Sequence, residues 1–123
     1  MTAVVDAVTA LRVAVIAAAG ADDEALRVRT VSPAFASAQI VRVPGERTLD
    51  HVTVQLAEPV GLRELEAAFG PGRELPLSPE GGSMRTLIFD ATMPAMNSTG
   101  ATLLAEVQED GLVVRLVIRR DVL

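Results

Sequence analysis

Asp90 closes the apolar run Leu87-Ile88-Phe89 and precedes Thr92-Met93-Pro94-Ala95-Met96-Asn97-Ser98-Thr99-Gly100. A carboxylate at a strand end beside an apolar pocket keeps its proton to higher pH, which suits it to general acid or base work. The segment after it supplies two flexible thioethers, Met93 and Met96, and the amide of Asn97, an adaptable wall for a small apolar ligand. The plainer alternative is that Asp90 bonds loop backbone while the methionines fill gaps in the core.

His51 is the only histidine, so any imidazole mechanism runs through it. No serine stands in a G-x-S-x-G elbow; Gly81-Gly82-Ser83 is only superficially similar. Asp50 adjoins His51, but neighbours along a strand point to opposite faces, so it is not expected to orient the ring. His51 then reads as a solvent-facing strand residue beside Thr53 and Gln55.

Arg115 and Arg119 are expected to share a strand face with Val113 and Val117, with Arg85 joining them from another strand. Arginines two pleats apart grip a carboxylate or a phosphate well. They serve equally to pair with Glu106 across a hairpin, or to build a mixed polar and apolar protein interface. Pairing or interface use is the favoured reading.

Several chemistries are closed by composition. With Cys 0 there is no disulfide, thiolate metal site or cysteine nucleophile. All 11 positive charges are arginine, which removes Schiff-base lysines and the phosphate lysine of a P-loop. One histidine and scattered carboxylates make no zinc site, and Asp22-Asp23-Glu24 lacks the alternating spacing of a calcium loop. No metal and no cofactor is therefore expected. The only aromatic residues are Phe35, Phe69 and Phe89, too few for a stacking platform. A net charge of -5 with dispersed arginines speaks against a nucleic-acid partner.

The elements that must hold these residues are readable in outline. Val4, Val8, Leu11, Val15 and Ala18 recur at helical spacing through residues 2–19, with Gly20 as the stop. Val5, Val13 and Ile16 lie off that stripe, so the helix is apolar on more than one face. Val4, Val5, Val13 and Ile16 thus become candidate contacts with a second subunit. Asp6 and Arg12 interrupt the apolar run and no basic stretch precedes it, so it reads neither as a secretion signal nor as a membrane span. A cytoplasmic protein is expected.

Strands are expected at 25–31 and 38–43, broken by Ser32-Pro33, and at 49–57, where Val52, Val54 and Leu56 face inward. A short helix follows at 61–69, with Leu62, Leu65 and Phe69 on one side and Gly70-Pro71-Gly72 ending it. The stretch through Ser83 is broken by glycine and proline and is expected to be a mobile loop. Further strands are expected at 84–91, 101–108 and 112–120, the last two joined at Glu109-Asp110-Gly111. Leu112, Val114, Leu116 and Ile118 are expected to form the inward face of the last.

These elements amount to a single α+β domain over 1–123, with an N-terminal helix and a short second helix packed on a largely antiparallel sheet of five or six strands. Three functions fit. A non-catalytic, self-associating interaction or accessory module ranks first, its partner itself or another protein. A cofactor-independent binder or enzyme of isomerase or cyclase type, acting on an apolar small molecule, ranks second. In that case Asp90 is the acid or base, and Arg85 or Arg115 holds an anionic group. A small acidic immunity or inhibitor protein ranks third.

Overall fold

The computed structural model describes residues 3–17, 24–75 and 85–122. The helices are α1 (Ala3–Ala17), α2 (Glu24–Thr30) and α3 (Leu62–Phe69), and the strands are β1 (Phe35–Arg42), β2 (Leu49–Gly61), β3 (Gly72–Glu74), β4 (Arg85–Phe89), β5 (Thr99–Val107) and β6 (Leu112–Val122). All pairings are antiparallel, in the spatial order β1-β2-β6-β5-β4-β3. The expected α+β class and antiparallel sheet are observed. Ala18, Gly20, Asp22, Asp23 and most of the 71–83 loop lie outside the described residues.

α1 lies across the middle of the sheet and packs on β2, β5 and β6. Val5, Val8, Leu11 and Val15 form its buried stripe. They meet Val52 and Val54 of β2, Leu103 and Ala105 of β5, and Leu116 and Ile118 of β6 in one continuous core. Alternation holds cleanly in β2, where Val52, Val54 and Leu56 are buried and His51, Thr53 and Gln55 face away from the helices. α3 closes one end with Leu65 and Phe69. Phe69 meets Phe89 edge to face, 6.4 Å between centroids.

Residues 24–30 depart from the strand expected at 25–31. Leu26-Arg27-Val28-Arg29 alternates over too few residues to distinguish period two from one turn of helix. Good helix formers, an acidic first turn at Glu24 and a basic last turn at Arg27 and Arg29 favour the helix. Leu26 is its buried anchor, whereas Val28 is exposed. Ser32 then turns the chain into β1: its Oγ accepts the Ala34 N–H, and its carbonyl the Phe35 N–H.

A second departure lies in β6. Glu106 faces Arg115 but Val107 faces Val113, so Val114 is an extra residue in the ladder. Such a bulge reverses the alternation. Val113, Leu116 and Ile118 therefore form the inward face, while Leu112 is exposed and Val114 half-buried.

The third departure is β3, a strand where a loop was expected. Glu66 of α3 steadies it by accepting the Gly72 N–H at 2.9 Å. Gly70, at φ 91, ends α3 in the left-handed region that glycine enters without strain.

Candidate functional site

The helices cover one face of the sheet. On the other face, the ladders bring three cross-strand rows together. One row is Gln55, Arg115, Glu106 and Thr86; the next is Thr53, Val117, Leu104 and Ile88; the third is His51, Arg119 and Thr102. An apolar middle row is thus flanked by polar ones.

Arg115 pairs with Glu106 at 3.5 Å, the cross-hairpin use expected for it. Arg119 grips Asp121 through Nε and Nη2, and Asp121 also accepts the hydroxyl proton of Thr102. Arg115, Val117 and Arg119 share this face as expected, but Val113 does not, because the bulge turns it into the core. Arg85 does not join them. It stands opposite Val107, on the helix side of the sheet, and reaches Glu74 at 3.7 Å.

His51 faces Arg119 across the β2–β6 ladder. Its Nδ1 lies 2.6 Å from Asp50 Oδ2, a contact that simple alternation excludes. The cause is a bulge. Val41 faces His51 but Arg42 faces Leu49, so Asp50 is the extra residue and its side chain is re-aimed toward the ring.

Asp90 opens a short helical turn, Asp90–Thr92, after β4. It is exposed and clamped by Arg73 of β3, Nε to Oδ2 at 2.8 Å and Nη2 to Oδ1 at 3.0 Å. The hydrogen bonds and charge of Arg73 hold the Asp90 carboxyl below its ordinary value. This corrects the apolar setting expected for Asp90, which would have raised it. Met93 and Met96 are both exposed rather than buried in the core, and Asn97 adopts φ 64 at the loop's turn.

Of the four α1 residues expected to meet a second subunit, Val5 belongs to the chain's own core at 4% exposure. The one-residue offset arises because the buried stripe passes through Val5 and Val8, leaving Val4 half-buried at its flank. Val13 is 63% exposed and Ile16 40%.

Arg12 carries a role that its place in an apolar run concealed. β4 ends at Phe89, leaving the β5 edge open at Ala101 and Leu103. Thr92 fills part of that gap: its Oγ1 donates to the Phe89 carbonyl and accepts the Leu103 N–H at 2.9 Å. Arg12 fills the rest, with Nε donating to the Ala101 carbonyl at 2.8 Å and Nη2 to the Thr92 carbonyl at 3.3 Å. Its guanidinium also sits 5.8 Å from the Phe69 ring centroid, and burial lowers its pKa. A single charge at the margin of the α1 stripe was the only signal for this contact in the sequence. Across the ladder from Ala101, Arg120 leaves its Nε buried with no hydrogen-bond partner.

A groove of about 360 Å³ lies elsewhere, lined by Ala3 and Val4 of α1, Pro33, Ala34, and Ala57 to Val60. Here β2 is out of register with β6 between Gln55 and Val60, and the Ala57 N–H bonds the Ala34 carbonyl. Asp90, Met93 and Met96 do not line it. Among the described residues no helix is long and apolar enough to cross a membrane, and no three histidine or acidic side chains converge as metal ligands.

Comparison with family models, with curated proteins and with solved structures found no match.

Proposed function

We propose that this chain is a non-catalytic protein-interaction module that associates with itself. The observation that carries this reading is the set of β-branched side chains left exposed on the helix layer. Val13 is 63%, Val28 60% and Val31 83% exposed. Exposed apolar groups favour a protein contact where they gather into one patch. The ionic groups fit the same reading, since Asp90, Glu106 and Asp121 are each engaged by an arginine of the chain itself.

Native mass spectrometry of the purified protein tests this reading. A dimer or larger assembly without added mass is the expected spectrum. A reproducible adduct of small-molecule mass on a monomer overturns it in favour of the second reading. That reading is a binder of an apolar small molecule, and the groove between α1 and Ala57–Val60 favours it, being of the size that encloses such ligands. Its acid would then be Glu58, which lines the groove, rather than Asp90.

A further inference from the structure

Asp90, Glu106 and Asp121 each meet an arginine of the chain itself. Glu58 does not. Among the described residues it makes no ion pair and no side-chain hydrogen bond, yet it lines the groove between α1 and Ala57–Val60. The other lining residues are alanine, valine and proline. Glu58 is exposed, so a ligand can reach its carboxylate from outside. An ionised carboxylate only accepts hydrogen bonds, and the group that suits it best is a cationic donor.

The groove is held in shape before any ligand arrives. Proline fixes its own φ, so Pro33 before β1 and Pro59 within β2 stiffen the two segments that supply most of the lining. The Ala57 N–H bonds the Ala34 carbonyl at 2.9 Å and ties those segments together. Val4 and Val60 are themselves packed against the core. Walls fixed in these ways lose little freedom on binding. A volume of about 360 Å³ lies at the small end of ligand sites.

We infer that this groove binds an aliphatic primary ammonium ion, its hydrocarbon body against Val4, Ala34 and Val60 and its charged head on the Glu58 carboxylate. The inference takes up the groove of the second reading and names its ligand class; it does not depend on self-association. A primary ammonium donates hydrogen bonds to the carboxylate. A quaternary one cannot, and the lining has no aromatic face to hold it instead. An anion is disfavoured by Glu58 and by the net charge of -5. Because Glu58 is exposed, its ion pair adds only a few-fold in affinity, and binding is expected in roughly the millimolar range.

Amide chemical-shift titration of the full chain at neutral pH with hexylammonium, hexanol and hexanoate tests the site. Hexylammonium is expected to shift the amides of Val4, Ala34, Ala57, Glu58 and Val60. Its Kd should lie roughly three- to fivefold below that of hexanol, with hexanoate the weakest. Glu58→Gln removes the preference for hexylammonium while hexanol still binds. Ala57→Leu, which fills the groove from an exposed position, weakens both ligands. Unchanged amide spectra away from the groove show that each variant is folded. Equal affinity of wild type for hexylammonium and hexanol overturns the ligand class. Shifts that centre elsewhere, or that Ala57→Leu does not reduce, overturn the site. Sedimentation velocity of the same samples reads self-association separately. A dimer without groove shifts overturns this inference alone, and a monomer with them overturns self-association alone.

Discussion

Arg73 and Asp90, seventeen residues apart in sequence, form a two-point fork across the end of the β3–β4 ladder, with both N–O distances at or below 3.0 Å. A carboxylate held this way is ionised at neutral pH and has both oxygens occupied. The pair ties the short β3 edge to the turn that follows β4, a positional role for the residue that looked most like an acid or base.

The direction of the Asp90 shift has a sign that titration reads. A carboxyl depressed in the folded state contributes stability above its unfolded pKa and loses it as pH falls through the folded value. Carbon-detected NMR of Asp90 is therefore expected to show a midpoint below that of an ordinary aspartate, moving up in Arg73→Ala. A midpoint unchanged by Arg73→Ala contradicts the fork. Between pH 6 and 8 the pair adds no pH dependence to stability, since both groups stay charged there.

Removing Arg12 strips two backbone carbonyls of their donors. Arg12→Ala is expected to lose about 2–3 kcal/mol in urea denaturation, the range for hydrogen bonds made by a charged group. Thr92→Val removes the hydroxyl that serves both Phe89 and Leu103, at a cost of about 1–3 kcal/mol, while Thr92→Ser retains most of the stability. Because Arg12 also bonds the Thr92 carbonyl, the double variant should fall short of the sum. Strict additivity would show that the two act separately.

The β6 bulge predicts an inverted order of mutational cost. Val113→Ala, at a fully buried site, should destabilise by about 2 kcal/mol, and Val114→Ala by less than about 1 kcal/mol. Thermal melts compare the two directly. Unbroken alternation from Leu116 back to Leu112 would reverse the order.

Gly100 sits beneath the ring of Pro94, where an added Cβ would lie 2.7 Å from the proline Cβ. Gly100→Ala is expected to cost about 1–3 kcal/mol through overpacking. Gly100→Ala should cost less in a Pro94→Gly background, which lacks all the ring atoms in the way, Cβ included. A Gly100→Ala protein as stable as wild type would mean that the loop yields without strain.

Periodicity exposed most of the frame. The α1 stripe through Val8, Leu11 and Val15, the inward face of β2 and the glycine stop after α3 all follow from local pattern, because a repeated period over many residues has one good burial solution. The misreadings share a cause. Residues 24–30 were too short a pattern to separate helix from strand, and the bulges at Asp50 and Val114 each shift the alternation by one residue. Strand patterns presume an unbroken register, and a single extra residue exchanges the faces.

The sequence by itself determined the class of the fold, the identity of the core-forming segments, and the chemistries that a chain without cysteine or lysine cannot perform. Those follow from composition and local periodicity, which are properties of neighbours along the chain. Tertiary structure alone decided which charges meet: Arg12 with the backbone of Ala101 and Thr92, Arg73 with Asp90, and Arg85 with Glu74 instead of the Arg115 face. It also decided the strand order, with β1 at one edge of the sheet and the ion-paired β3 at the other. Strand order and register set those relationships between residues far apart in sequence, and local spacing carries no record of either.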